Sequence, residues 1–266
     1  MSGTVFELDA FNAVIVGNGA LGSAMLEALL GYAGLQRVFV LARSFGSGEP
    51  EQHTHNDGLN TRNTAGHNNG RVSRLSFDAE DPSTIASAAA QIASQVDTLH
   101  LVFNTVGLLH DAQHGPEKRL QNLKADHLLR SFQINAMVLP LLAQHFSKLM
   151  KHPQPAILAS LSARVGSIAD NNMGGWYSYR ASKAAHNMLL RTIALEWRTS
   201  HRNASVVALH PGTVRSRLSE PFLTPRYKNT VLTPAESATC LLGVMRQLRA
   251  DTSGVFLDWN NQPIDW

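Results

Sequence analysis

The residues with the clearest chemical potential are Tyr179 and Lys183, within Tyr179-Arg180-Ala181-Ser182-Lys183. Four residues apart on a helix, the two side chains share one face, about one turn from each other. A free phenol, with a pKa of about 10, is a poor proton donor or acceptor at neutral pH. An ammonium held beside it favours the phenolate and lowers that pKa. Such a tyrosine can hand a proton to a carbonyl oxygen as hydride arrives at the carbon. Tyr177 has Ala181 at its i+4 position, so only Tyr179 has the partner. Taken alone, Tyr-x-x-x-Lys is also an ordinary surface pair.

A second constellation lies near the N-terminus. Gly17-Asn18-Gly19-Ala20-Leu21-Gly22 matches G-x-G-x-x-G, directly after the apolar run Val14-Ile15-Val16 and before a helical pattern. Glycines there allow a tight turn and close approach of backbone to a pyrophosphate, which the free N–H groups of the helix start then hold. A dinucleotide fold selecting NAD places a carboxylate about twenty residues on, at the ribose 2′-hydroxyl. Here the next strand ends Leu41-Ala42-Arg43-Ser44, with no carboxylate until Glu49. Arg43 can instead pair with a 2′-phosphate through its planar fork, or be a solvated strand-end arginine. The missing acid and the present base both favour NADP(H) over NAD(H).

The elements that must position these residues follow a βα rhythm. After Val14–Val16 a helix is predicted, with Leu21, Met25, Ala28 and Leu29 on one side. Strands are expected at 38–41, 72–77 and 99–103. A long helix over 126–150 carries Leu128, Phe132, Ala136 and Leu139 on one face. A strand at 156–161 precedes a helix with Ala185, Leu189, Ile193 and Trp197 at i+4 spacing; strands at 205–209 and 255–257 complete the set. Continuous apolar strands alternating with amphipathic helices indicate a parallel sheet covered on both faces. The expectation is one α/β domain spanning 1–266. It is interrupted by a polar excursion at 44–70 that holds only Phe45, Leu59 and Ala65 as apolar side chains.

Further segments fall in a telling order: Asn104-Thr105-Val106-Gly107 after the fourth strand, then Asn135, Ser160-Leu161-Ser162, Tyr179/Lys183, and Pro211-Gly212-Thr213-Val214. With the glycine turn, this order resembles the short-chain dehydrogenase/reductase family. The stretch from Gly166-Ser167-Ile168 through Gly174-Gly175-Trp176-Tyr177-Ser178-Tyr179 is most similar to its C-factor and sniffer-type carbonyl reductase branch. The resemblance implies a Rossmann-type, doubly wound, seven-stranded parallel sheet in three α/β/α layers, and a nicotinamide cofactor. It also implies oxidoreduction of a carbonyl/alcohol pair, and a homo-oligomer built on helices 126–150 and 178–199. Tyr179 then resembles the general acid/base, and Lys183 the residue that lowers its pKa and binds the nicotinamide ribose. Asn135 matches the asparagine that holds a relay water. Gly17, Asn18, Gly19, Leu21 and Gly22 match the phosphate turn, and Asn104 and Gly107 the adenine-side ribose turn. Asp78 matches the adenine contact, with Asp81 the better helix cap. Pro211, Gly212 and Val214 match the nicotinamide loop. The glycine turn is one residue shorter than the family's T-G-x-x-x-G-x-G, with Val16 in place of threonine, and Thr105-Val106 departs from N-N-A-G. An ungapped match puts Ala163 at the catalytic serine, so Ser162 is the candidate and Ser167 the second.

Composition narrows the partners. Lys plus Arg is 23 and Asp plus Glu 20, a net charge of +3 without any long run of like charge, which disfavours nucleic acid. One cysteine, Cys240, excludes an intrachain disulfide framework. No signal peptide or membrane-spanning run is apparent, so a soluble cytoplasmic protein acting on a small molecule is expected. Among twelve histidines, His53, His55 and His67, or His110 with His114, lack zinc-site spacing and read as solvated loop residues; no metal is expected. Phe222, Leu223 and Tyr227 lie where the family often has a substrate lid, while Trp176, Trp259 and Trp266 read as core or interface. The other functional reading is a dinucleotide-binding regulatory or signalling protein with little turnover on the same fold.

Overall fold

A computed structural model of the chain describes residues 3–45, 70–225 and 227–266. The strands are β1 (Phe11–Val16), β2 (Leu35–Ala42), β3 (Val72–Ser76), β4 (Leu101–Asn104), β5 (Ala156–Leu161), β6 (Ala204–His210), β7 (Thr213–Val214), β8 (Val231–Leu232) and β9 (Val255–Asp258). The helices are α1 (Ala20–Leu30), α2 (Pro82–Ala93), α3 (Ala125–Phe132), α4 (Val138–Met150), α5 (Tyr177–Ser200) and α6 (Pro234–Met245). Seven strands form one parallel sheet in the order β3-β2-β1-β4-β5-β6-β9, and β7 pairs with β8 beside it.

Alternation along each strand feeds two cores. Val14 and Val16 of β1 face a cluster with Ile85 of α2, Leu139 of α4 and Trp197 of α5. Ala13 and Ile15 face the other way, toward Met25 and Leu29 of α1 and Leu241 of α6. Each fully buried aliphatic or aromatic side chain contributes about 1.5–3 kcal/mol, so a sheet apolar on both faces requires helices on both. The expected doubly wound, three-layer architecture is therefore the one observed. The polar excursion falls largely outside the described residues, at 46–69.

Three details differ from the sequence expectation. The helix expected over 126–150 is α3 and α4 joined by a π turn, Gln133–Met137. On α5 the buried stripe runs through Lys183, His186, Leu190, Ile193 and Trp197, and Ala185 and Leu189 are only half-buried at its flank. Apolar periodicity misplaced that stripe because its first turns bury polar side chains. Helix α6 is absent from the expected elements, although Thr233 and Glu236 form a reciprocal capping box ahead of it and Pro234 opens it. The expected cap of α2 is correct: the Asp81 side chain accepts from Ser83 N.

The chain winds from β1 outward to β3, then returns to place β4 on the other side of β1. That reversal opens a crevice beyond the carboxyl ends of β1 and β4, where ligands of open α/β sheets bind. Thr105 closes its floor, donating from both N and Oγ1 to Val16 O at 2.8 Å.

Candidate active site

The glycine turn occupies that crevice. Gly17 is left-handed (φ 99°), and a Cβ on Gly22 would sit 2.1 Å from Gly17 O, so both positions require glycine. Gly19, the N-cap of α1, is different: a Cβ there would meet nothing within 4 Å. Its lack of a side chain leaves open space over the helix start, as a pyrophosphate would need. The Asn18 side chain donates to Ser44 O at 2.7 Å, tying the turn to the end of β2. Leu21 contributes backbone only, since its side chain is buried in the core.

Tyr179 and Lys183 lie in the first two turns of α5, both buried, with Lys183 Nζ 6.0 Å from the Tyr179 ring centre. Lys183 Nζ donates to Leu161 O, 2.9 Å away at the end of β5. Gly166 lets the following turn press on this lysine, because a Cβ there would be 2.7 Å from Lys183 Cβ. Burial pushes the Tyr179 phenol up to about 12 and the Lys183 ammonium down to about 8. In the protein alone, burial thus outweighs the lowering of the phenol expected from the neighbouring ammonium. Each desolvated charge is costly singly, and each is what the other lacks.

Asn135 sits in the π turn. Its Nδ2 donates to Leu108 O (2.8 Å) and Ser182 Oγ (2.9 Å), and its Oδ1 accepts from Leu108 N (2.6 Å). A Cβ on Gly107 would lie 3.6 Å from both Asn135 Oδ1 and Lys183 Nζ, so these three residues converge. The Asn135 carbonyl accepts from His186 Nδ1 at 3.0 Å, a contact the sequence did not reveal. His186 is wholly buried, and burial followed by the Lys183 charge holds its pKa down to about 3, so the ring is neutral.

The serines are engaged locally. Ser162, 3% exposed, donates to Asn187 Oδ1 at 2.6 Å, and Ser167 Oγ accepts from Asp170 N at 3.1 Å. Asn104 donates to Ser160 Oγ (2.9 Å) and accepts from Val106 N (3.1 Å). Its side chain therefore fixes the ends of β4 and β5. Pro211 and Gly212 link β6 to β7, Pro211 O accepts from Ser237 Oγ, and Val214 is buried.

Beyond the end of β3, Asp78 Oδ1 accepts from Glu80 N at 2.9 Å. The Arg43 side chain is 67% exposed and lies 3.8 Å from Glu80, whose carboxylate is gripped by Arg130 Nε (2.7 Å) and Nη2 (3.0 Å). Because Arg130 already neutralises Glu80, the Arg43 guanidinium is only loosely held.

Several residues at the site escaped sequence reading. Glu117 is buried and its carboxylate accepts from both Ser178 N (3.2 Å) and Ser178 Oγ, capping α5 one residue before Tyr179. Its partner lies 61 residues away, and no local pattern announces it. Trp176, in the left-handed region (φ 53°), packs edge-on against Tyr179, so it belongs to the site and not merely to the core. Phe222 lies on Trp176 at 5.2 Å between ring centres, and His110 lies on Phe222 at 5.8 Å. His53, His55 and His67 lie outside the described residues, and His114 neighbours His127 instead of His110.

Among the described residues no helix is long and apolar enough to cross a membrane. A family model described as Enoyl-(Acyl carrier protein) reductase matches residues 53–238, more than half of the chain. The chain is 28% identical over 189 residues to the 1-hydroxy-2-glutathionyl-2-methyl-3-butene dehydrogenase of Rhodococcus sp. (strain AD45), covering 71% of this chain and 78% of that protein. It is 31% identical over 147 residues to the C-signal protein of Myxococcus xanthus, covering 52% of this chain and 78% of that one. The NADPH-bound carbonyl reductase from chicken fatty liver shares its fold, with a TM-score of 0.79 over 97% of this chain and 100% of the other at 23% identity. The parallel sheet, the glycine turn at its switch point and these likenesses agree: the chain belongs to the short-chain dehydrogenase/reductase family of oxidoreductases.

Proposed function

We propose that the chain is an NADP(H)-dependent carbonyl reductase with Tyr179 as its general acid/base. The observation that carries this reading is the burial of Tyr179 and Lys183 together on α5, with Lys183 anchored to the end of β5 and converging on Gly107. Tyr179 gives its proton to the carbonyl oxygen as hydride reaches the carbon, and the Lys183 ammonium stabilises the phenolate left behind. The nicotinamide, when bound, supplies that hydride. The open space at Gly19 and the free start of α1 suit its pyrophosphate. Pro211, Gly212 and Val214 border the nicotinamide end, Asp78 and Asn104 the adenosine end, and Gly107, close to Lys183, the stretch between them. Preference for NADP(H) rests on Arg43, exposed and loosely held, and fits the NADPH carried by the similar chicken enzyme.

Ser162 orients the substrate oxygen once its hydroxyl leaves Asn187, and Asn135 serves the proton relay. The aromatic wall of Trp176, Phe222 and His110 favours a carbonyl compound with an apolar, ring-sized group. Exposed Leu129 of α3, with Met188 and Leu195 of α5, gives the homo-oligomer an apolar face to bury. A cytoplasmic location accords with a single free cysteine.

The test is titration of purified protein with NADPH and NADH, followed by nicotinamide fluorescence, and turnover of a carbonyl panel. NADPH should bind tighter, and Arg43→Ala should remove most of that preference. Tyr179→Phe should lose about 10²–10⁴-fold in turnover while keeping cofactor. Binding of neither cofactor would refute the reading; binding without turnover would favour the regulatory role.

A further inference from the structure

We infer that Asp111, His114 and His127 form a site for one divalent transition-metal ion, of the zinc class, in a cavity that the proposed reaction does not use. Each residue offers a ligand atom, and the three atoms lie within 4.8 Å of one another. His114 Nδ1 is 3.6 Å from Asp111 Oδ1, and the two imidazole centres are 4.8 Å apart. His127, 4% exposed, has its Nδ1 buried without a hydrogen-bond partner among the described residues. A neutral imidazole nitrogen with an unused lone pair is the commonest donor to zinc.

The surroundings suit a cation. A cavity of about 460 Å³ gives access and also presents Glu80, Asp126 and Arg130. Three carboxylates against Arg130, with the exposed Arg43 guanidinium 3.8 Å from Glu80 at the edge, leave the site negative before an ion arrives. Arg130 contacts Asp111 but is held at two other nitrogens by Glu80. Gln113 N and His114 N both donate to Asp111 Oδ1 at 2.7 Å and fix it on the loop, while Oδ2 can exchange Arg130 for an ion without stranding the guanidinium. Tetrahedral zinc holds donors at about 2.0–2.1 Å, hence about 3.4 Å from one another, so the cluster has to contract by roughly an ångström. Asp111 and His114 are partly exposed on the loop after β4 and have room to do so, whereas His127 is fixed in α3. Two imidazoles and a carboxylate suit zinc, cobalt or nickel over magnesium or calcium, with a fourth position for water or Asp126. Such an ion would clip the loop that carries Gly107 and Leu108 onto the helix leading to Asn135.

The site is tested on untagged, chelator-treated protein titrated with cobalt(II) and then zinc(II). One cobalt per chain should bind with the visible absorption of a four-coordinate centre, be displaced by one zinc, and raise the melting temperature until EDTA is added. His127→Ala and, independently, the more exposed His114→Ala should each weaken binding at least tenfold. Absence of stoichiometric binding, an octahedral spectrum only, or binding unchanged in His114→Ala would overturn the assignment, the last by placing the ion among the other histidines.

Discussion

Replacing Glu117 by alanine removes the acceptor of two buried hydrogen bonds at the start of α5, from Ser178 N and Ser178 Oγ. Hydrogen bonds to a charged partner contribute about 1.5–3 kcal/mol each. Truncation also leaves an N–H and a hydroxyl buried without partners, while the carboxylate's own desolvation cost is recovered. The balance is a loss of about 3 kcal/mol, which in a chain of this size lowers the melting temperature by about 6–12 °C. Glu117→Gln keeps the shape, because its amide oxygen accepts from Ser178 N while its NH₂ donates to Ser178 Oγ. It should cost about 1 kcal/mol, near the net worth of an ordinary hydrogen bond. Thermal melts of the three proteins give this series directly. Since Tyr179 follows Ser178, a frayed first turn should lower kcat in the alanine variant, while NADPH binding at the distant glycine turn stays near wild type. An alanine variant melting within about 2 °C of wild type would refute the claim that this cap holds the helix.

Other consequences are equally direct. Gly19→Ala should weaken cofactor binding with an unchanged melting temperature, because its methyl enters open space, whereas Gly22→Ala should destabilise the fold through its clash with Gly17 O; melts and fluorescence titrations of both check the pair. Burial lowers the Lys183 pKa to about 8, so its ammonium is present below that pH and lost above it. The reduction rate should accordingly fall about tenfold per pH unit above about 8, and a profile flat to pH 10 would deny Lys183 a charged role. Ser162→Ala should reduce kcat by about 10²-fold, the loss of one transition-state hydrogen-bond donor. Ser167→Ala should leave kcat within a few-fold, and the reverse order in steady-state kinetics would transfer the role to Ser167.

The sheet was readable because strands buried on both faces are runs of apolar residues, and such runs survive without knowledge of their neighbours. The glycine turn and the tyrosine–lysine pair were readable because their chemistry is confined to six and five consecutive residues. The rest of the site is built from contacts across long stretches of sequence. Glu117 meets Ser178, Asn135 meets Leu108 and His186, and Ser162 meets Asn187. None leaves a local pattern. His186 and Asn187 were also hidden because the buried face of a helix is read from its apolar residues, and on α5 these two polar side chains lie on that face. The ion pairs beyond β3 were invisible because they too join distant residues, Glu80 and Arg130 being 50 apart.

The π turn at Gln133–Met137 adds one residue to a helical repeat, and one residue is about 100° of rotation. Helices α3 and α4 are therefore out of phase, and Asn135 is the residue that the offset turns inward. Removing one residue from this turn would yield a more regular helix, better by every local criterion of hydrogen bonding and periodicity. It would also carry the asparagine away from Leu108 and Ser182. Part of the proposed catalytic apparatus is thus stored as an irregularity, one that idealised redesign or consensus smoothing of the helix would erase while improving its stability.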